Sequence, residues 1–190
     1  MKNIEQELKI ALDEREYEIL LNSAAVCPQL QTNFYFRCDN MSDDTMLRIR
    51  KKGEAYRVCY KKRLSFNAGV SVCDEREKDL DARSAKKLIA DGITQSDLKK
   101  FFDLDVAENF RYVGKLDTYR AVFARRDWTL ELDKNEYLGI TDYELECENA
   151  RIDALDMLKS YLSYNFGITF KPSDAKSKRF WDRYKSITQL

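Results

Sequence analysis

The sequence predicts an α+β fold built on an antiparallel sheet, which can close into a β-barrel. Three observations support this fold class. Strand-like segments outnumber helical ones, several of them are joined by hairpin-like turns, and the helical segments have apolar faces that need a sheet to cover. The 190 residues are 44% hydrophobic, enough for one full core, so we expect residues 1–190 to form a single domain.

The first half of the chain is predicted to hold one helix and five strands. The helix covers Glu14–Val26, where Tyr17 and Leu20 have helical spacing, and it ends before Pro28. The strands are Ile4–Leu12, Asn33–Cys38, Thr45–Lys51, Ala55–Arg63 and Gly69–Lys78. A turn at Gly53 makes a hairpin of the third and fourth strands.

The second half begins with one or two short helices over Asp81–Phe102, broken at Gly92. Three strands follow, with a turn around Asp133–Gly139 between the second and the third. They are Arg111–Arg125, Trp128–Leu132 and Thr141–Glu148. Two helices close the chain. They are Asn149–Asn165, which ends at Gly167, and the lysine-rich amphipathic helix Ser173–Ser186.

Charged residues recur on one face of the predicted strands, because side chains two apart in a strand point the same way. Glu5, Glu7 and Lys9 share a face, and so do Arg48 and Arg50. Later strands group Arg57 with Lys61, Glu75 with Glu77, Glu131 with Asp133, and Asp142 with Glu144, Glu146 and Glu148. Several groups carry one sign, and like charges this close destabilise a sheet unless something neutralises them.

Two interpretations of these charged faces compete. A half-buried antiparallel sheet normally turns its polar face to solvent, which accounts for any one strand. For the whole set, the helices offer another arrangement, since they can cover the apolar strand faces and leave the charged faces inside a barrel. Carboxylates suit Mg²⁺ or Mn²⁺, and arginine and lysine suit phosphate oxygens. A shared interior therefore suits a metal–polyphosphate complex.

Composition excludes several function classes. The chain has 33 basic and 33 acidic residues, so no net charge attracts it to nucleic acid or to an anionic membrane, and we expect neither as a partner. It has no histidine, which excludes histidine-ligated zinc and imidazole acid–base catalysis. Five cysteines without a CxxC pair, and no recognisable signal peptide, predict free thiols and a cytoplasmic protein. No apolar run reaches the length of a membrane span.

One short motif and its successors resemble a known family. Glu5-Gln6-Glu7-Leu8-Lys9 matches the ExExK signature of the CYTH superfamily, also called triphosphate tunnel metalloenzymes. Further elements follow in the family's order: Leu47-Arg48-Ile49-Arg50, Lys61, Glu75-Arg76-Glu77, Leu138-Gly139, and Asp142-Tyr143-Glu144-Leu145-Glu146. Together they span nearly the whole chain. The chain is most similar to small Gram-positive bacterial members and to thiamine triphosphatase-like members.

The resemblance implies an eight-stranded antiparallel closed β-barrel, or tunnel, with helices packed outside. Family members hydrolyse inorganic tripolyphosphate, thiamine triphosphate or nucleoside triphosphates, or cyclise ATP to cyclic AMP as class IV adenylyl cyclases do. The resemblance therefore implies a metal-dependent triphosphatase that uses Mg²⁺ or Mn²⁺ and acts on a small-molecule triphosphate. We expect a monomer or a homodimer.

The resemblance also assigns residues to roles. The metal carboxylates would be Glu5, Glu7, Glu75, Glu77, Glu144 and Glu146. The triphosphate-binding cations would be Lys9, Arg48, Arg50, Lys61, Arg120 and Lys178. Glu5, Glu7 and Lys9 would be catalytic, with Lys9 either assisting deprotonation of water or binding phosphate. Thr118 stands where the family often has lysine, and for Lys178 a solvated helix face is an equal alternative.

Three other functions remain open at this point. An adenylyl cyclase would bind phosphate with the same residues but needs a pocket that recognises the base, and no residue set specifies such a pocket. A non-catalytic polyphosphate- or nucleotide-binding module would gain nothing from so many carboxylates. A lipocalin-like barrel would turn its apolar faces inward, with Leu47, Ile49, Leu130 and Leu132 inside.

Overall fold

The computed structural model describes residues 3–67, 70–126, 128–148 and 152–188, and the side chains of all of these except 3–7, 66–67, 70–71, 148 and 152–155. The strands are β1 (Asn3–Leu12), β2 (Gln29–Arg37), β3 (Thr45–Lys52), β4 (Ala55–Asn67), β5 (Val70–Leu80), β6 (Arg111–Arg125), β7 (Trp128–Tyr137) and β8 (Ile140–Glu148). The helices are α1 (Glu14–Ala24), α2 (Ala82–Asp91), α3 (Gln95–Phe102), α4 (Ile152–Phe166) and α5 (Lys176–Thr188). Eight antiparallel strands with helices confirm the predicted α+β class.

The strands form one sheet whose pairing is cyclic. Their order is β1-β5-β4-β3-β2-β6-β7-β8, and β1 pairs with β8 as well as with β5. The register places Lys9 opposite Glu146, and Arg120 opposite Asp133. Directly opposed residues share a face of the sheet, so charged residues from distant parts of the chain meet on the inner face.

The predicted turn at Asp133–Gly139 is wrong, because β7 continues to Tyr137 and the turn is confined to Leu138 and Gly139. Asp133 and Asn135 are fully buried inside the barrel. A run of polar residues normally marks a turn, but here it marks a strand whose inner face is itself polar. Strand β2 likewise begins four residues earlier than predicted, with Gln31 and Asn33 buried.

The apolar strand faces point outward and pack beneath helices. Leu47 and Ile49 lie in a cluster with residues of α2 and α3, such as Leu98. A second cluster joins β1, β7 and β8 to α1 and α4. It contains Leu8, Ile10, Tyr17, Leu20, Leu130, Leu132, Leu145, Leu158 and Leu162. Burial of these side chains stabilises the fold and leaves the charged faces inside, so the lipocalin-like alternative is wrong.

Helix α5 lies over one end of the barrel. Its Phe180 packs on Tyr35 of β2 with ring centroids 4.8 Å apart, and on Tyr137 of β7 at 6.1 Å. The Arg37 guanidinium lies 4.7 Å from the centre of the Trp181 ring, a cation–π contact. These contacts fix the start of α5 at the edge of the barrel interior.

Among the helices that the structure describes, none is both long and apolar enough to span a membrane.

Candidate functional site

A charged cavity of about 180 Å³ lies inside the barrel. Its lining residues come from seven strands, all except β7, and from residues at and just before the start of α5. They include eight residues predicted from the sequence, which are Lys9, Arg48, Arg50, Lys61, Glu75, Glu77, Arg120 and Glu146. The other lining residues are Gln31, Asn33, Tyr35, Met46, Thr118, Ala175, Lys176 and Ser177. Half of the residues that line the cavity were thus predicted from the sequence.

An acidic cluster beside the cavity, the acidic wall, consists of Asp133 on β7 with Glu144 and Glu146 on β8, and of the three, Glu146 lines the cavity itself. Asp133 and Glu144 are fully buried, and Glu146 is 4% exposed. One oxygen from each carboxylate lies within 4.8 Å of the other two. Oxygen donors at this spacing fit a hard divalent cation such as Mg²⁺ or Mn²⁺. The sequence assignment omitted Asp133, although its alternation with Glu131 in the same strand was a usable signal.

Four cations hold the acidic wall. The Arg120 guanidinium donates to Asp133 at 2.6 and 2.8 Å and to Glu146 at 2.6 Å, and it also contacts Glu131. Lys9 contacts Glu146.

Lys176 and Arg179 reach the same wall from α5. Lys176 Nζ lies 2.8 Å from Asp133 Oδ2 and 3.0 Å from Glu146 Oε1, and it also contacts Glu144. Arg179 donates to Glu144 at 2.8 Å and to Asp142 at 2.9 and 3.1 Å. The first turn of α5 thus supplies two of the cations that neutralise the wall.

Opposing influences set the pKa values at this wall. Burial alone would raise the pKa of the Asp133 carboxyl, but attraction to Lys176 and Arg120 holds it below its usual range. Burial lowers the pKa of Lys176 well below that of a free lysine; repulsion from Lys9 adds to this, and Asp133 opposes it.

The basic wall consists of Arg48 and Arg50 on β3 and Lys61 on β4. Arg48 Nη2 lies 3.5 Å from Glu75 Oε1, and Lys61 Nζ lies 3.2 Å from Glu75 Oε2. Arg50 forms no ion pair with any residue that the structure describes, and its Nε donates to the Asn33 amide oxygen at 3.3 Å. Burial and the neighbouring Arg48 lower the pKa of Arg50.

One buried donor of this wall has no hydrogen bond to any described residue. It is Nε of Arg48, a residue that lines the cavity. A buried donor without a partner is destabilising, so the free energy of this wall improves when an acceptor enters the cavity. An anion with several oxygens supplies such acceptors, and the basic wall therefore has the character of an anion-binding surface.

Sequence comparison decides the family of the chain. The model of the CYTH domain matches residues 3–180. The chain belongs to the CYTH family. A search of curated proteins returned no match.

Solved structures share the CYTH fold over nearly all of the chain. A protein from Bacillus halodurans named "putative adenylate cyclase" is 25% identical, with a TM-score of 0.74, covering 95% of this chain and 98% of its own. The Hippeastrum protein HpAC1, named "putative adenylyl cyclase" and described as having a dominant triphosphatase activity, is 23% identical. It has a TM-score of 0.75 and covers 96% of this chain and 95% of its own. The Pyrococcus horikoshii protein PH1012 is 16% identical and has a TM-score of 0.59. The match covers 93% of this chain and 98% of that protein.

Lys178 does not join the CYTH site. It lies on the outer side of α5, where its Nζ pairs with Asp174 at 3.1 Å and with Asp182 at 2.8 Å. The lysine that enters the cavity is Lys176. Two residues along an α-helix rotate a side chain by about 200°, so a lysine-rich helix does not reveal from its sequence which lysine faces inward.

Glu75 and Glu77, predicted as metal carboxylates, lie among cations. Glu75 is shared by Arg48 and Lys61, and Glu77 accepts from Arg57 at 2.8 Å and from the Cys59 thiol at 3.1 Å. Ligand atoms of Cys59, Glu75 and Glu77 also lie within 4.8 Å of one another. This set offers two carboxylates and a thiol, whereas the acidic wall offers three buried carboxylates, so the acidic wall suits a hard divalent cation better.

Two features concern the ExExK motif and the position of Thr118. In β1 the register sets Glu5 opposite Cys73 and Glu7 opposite Ser71 and Glu148, and the side chains of Glu5 and Glu7 lie outside those described.

Thr118, where the CYTH family often has lysine, is buried and donates to Asn135 Oδ1 at 2.8 Å. A neutral hydrogen bond therefore replaces a positive charge on that strand.

Proposed function

We propose that this CYTH protein hydrolyses a small-molecule triphosphate inside its barrel, which works as a tunnel, with Mg²⁺ or Mn²⁺ as its cofactor. The observation that carries the proposal is Arg50. A half-buried guanidinium that makes no ion pair with a described residue is unfavourable unless an anion completes the site. The neighbouring Arg48 has a buried Nε without a hydrogen bond to any described residue, so it too favours binding of an anion.

The basic wall and the acidic wall have different roles in this proposal. Arg48, Arg50 and Lys61 bind phosphate oxygens and hold the triphosphate along the basic wall, as guanidinium and ammonium groups do. Asp133, Glu144 and Glu146, with Glu5 and Glu7 of the ExExK motif, would hold the metal ion. When bound, such an ion neutralises phosphate charge and makes water a better nucleophile. Lys9 and Arg120 keep Glu146 in place between the two walls.

Hydrolysis is favoured over cyclisation of a nucleotide. The only aromatic side chain among the described residues of the cavity wall is Tyr35, and its ring already packs on Phe180. This cavity therefore offers no other described ring to stack on an adenine base. The Hippeastrum relative is described as having a dominant triphosphatase activity, which supports the same choice.

The test is phosphate release by the purified protein from tripolyphosphate, thiamine triphosphate and ATP. Each substrate is tested with Mg²⁺, with Mn²⁺ and with a chelator. Arg50→Gln and Glu7→Gln are tested beside the wild type, with Arg83→Gln on the exposed face of α2 as the matched control. We expect metal-dependent release that both site variants lose and the control keeps.

The other outcomes separate the remaining functions. Cyclic AMP formed from ATP in place of phosphate would establish a cyclase. Tight binding of tripolyphosphate without any turnover would establish a binding module. Full activity in Glu7→Gln would refute the role of the ExExK motif in this chain.

A further inference from the structure

Lys176 is the first residue of α5, and its ammonium group is buried among three carboxylates. Its side chain is 10% exposed, while those of Asp133 and Glu144 are fully buried. The ammonium group contacts Asp133, Glu144 and Glu146 together. Lysine in a helix near a chain end is normally solvated, so an interior ammonium with three carboxylate partners is a specific arrangement.

The same three carboxylates are those whose oxygens fit a divalent cation. Asp133 Oδ2 and Glu146 Oε1 lie within 3.0 Å of Lys176 Nζ, and oxygens of the same three carboxylates lie close enough together to bind a metal. Two cations cannot share these oxygens at contact distance without strong repulsion in a buried site. Lys176 therefore takes the position of a counter-cation in the acidic wall.

We infer that Lys176 and a divalent metal ion compete for Asp133, Glu144 and Glu146, and that metal binding releases the first turn of α5 from the barrel. The inference rests on the proposed metal dependence. It adds that the metal ion displaces Lys176 from the carboxylates when it binds. Linkage requires the effect to be reciprocal, so anything that holds Lys176 in place weakens metal binding by the same factor.

The contacts of α5 divide into a part that metal would displace and a part that it would not. Ser173 donates to Glu144 at 3.2 Å, so it depends on the carboxylate cluster, as Lys176 does. Arg179 donates to Glu144 but also to Asp142 outside the cluster, and Phe180 and Trp181 are held by aromatic packing on Tyr35. Metal binding should thus loosen residues 173–178 and leave Arg179 and the apolar anchor of the helix in place.

The first experiment measures Mn²⁺ binding without substrate, from the electron paramagnetic resonance signal of free Mn²⁺. The proteins are the wild type, Lys176→Met and Lys178→Met. Methionine keeps the length of the side chain and removes its charge. Lys178 is the matched control, because it lies two residues further along α5 and its ion pairs are on the outer surface.

We expect Lys176→Met to bind Mn²⁺ about tenfold more tightly than the wild type, a usual size for coupling between two ligands. The Lys178→Met control should match the wild type. Equal or weaker binding by Lys176→Met would overturn the inference and leave metal dependence intact. Undetectable binding by all three proteins would overturn both the inference and the metal dependence proposed above.

A second measurement needs no variant, and so it holds even if Lys176→Met fails to fold. Amide hydrogen exchange of the wild type is followed with and without Mn²⁺ in the absence of substrate. We expect faster exchange in the first turn of α5 on adding Mn²⁺, with α4 unchanged. Unchanged or slower exchange in that turn would show that Lys176 stays in place, and the inference would be wrong.

Discussion

Arg120 and Asp133 stand directly opposite each other in the β6–β7 pairing and form two parallel hydrogen bonds, from Nε to Oδ1 at 2.8 Å and from Nη2 to Oδ2 at 2.6 Å. Such a bidentate pair is among the strongest side-chain contacts in proteins. The same guanidinium reaches Glu146 of β8 at 2.6 Å. Arg120 therefore connects three neighbouring strands on the inner face of the barrel.

Asp133→Asn should lower the free energy of unfolding by about 3–5 kcal/mol, because it leaves Arg120 and Lys176 buried with a lost partner. Urea denaturation followed by circular dichroism measures the change. Asp182→Asn is the control, since Asp182 pairs with Lys178 on the surface of α5, and it should stay within about 0.5 kcal/mol of the wild type. Equal stability of the two variants would contradict the structural role of Asp133.

Arg50→Gln should have opposite effects on stability and on activity. Removing a half-buried guanidinium that has no described ion-pair partner should raise the melting temperature of the protein without ligand. Loss of a phosphate-binding arginine should slow turnover about a hundredfold, or roughly 3 kcal/mol. Thermal denaturation and steady-state kinetics test the two effects, with Arg83→Gln unchanged in both. A lower melting temperature would show that Arg50 has a structural role instead.

Gly114→Ala should loosen α5. A Cβ at this position in β6 would lie 2.8 Å from the Phe180 ring, which is fully buried and has no room to retreat. Overpacking of this kind destabilises a protein by about 1–3 kcal/mol.

Gly139→Ala separates this collision from backbone strain, because Gly139 has φ +77° but open space around its Cα. We expect Gly114→Ala alone to speed hydrogen exchange in α5. If both variants behave alike, contact with Phe180 is not the cause.

Native alkylation should modify a single cysteine. Cys27 is exposed, while Cys38, Cys59, Cys73 and Cys147 are buried. Burial raises the pKa of the Cys59 thiol to about 11, which keeps it protonated at neutral pH as well as inaccessible. Iodoacetamide at pH 8 followed by peptide mass spectrometry should find one labelled site, and denaturant should expose all five. Labelling of Cys59 in the native protein would mean that the barrel interior opens to solvent.

The sequence predicted the inner face of the barrel well because strand alternation is local. Arg48 and Arg50 are two residues apart, as are Glu144 and Glu146, and each pair shares a face whatever the rest of the fold does. The same alternation put Leu47 and Ile49 on the opposite face, and in the structure that face packs against α2 and α3. These assignments needed no knowledge of strand order.

The remaining errors arise where the answer depends on tertiary structure. Asp133 and Asn135 look like turn residues because their burial in a polar interior is invisible in the sequence. Lys176 and Lys178 differ only in which side of α5 they occupy, and that side is set by the packing of Phe180 on Tyr35. Pairing of Lys9 with Glu146 joins residues 137 positions apart, which no local pattern encodes.

The seam between β1 and β8 bears on how the protein folds. Strand β1 finds its second neighbour only after the chain has been synthesised through residue 148, since the two strands lie near opposite ends of the sequence. Until then β1 has one unpaired edge, and such edges are prone to aggregate. Joining the two strands requires closure of a long loop, and contacts so distant in sequence are slow to form. We therefore expect ring closure to limit the folding rate, and newly made chains to be vulnerable until β8 has been synthesised and paired.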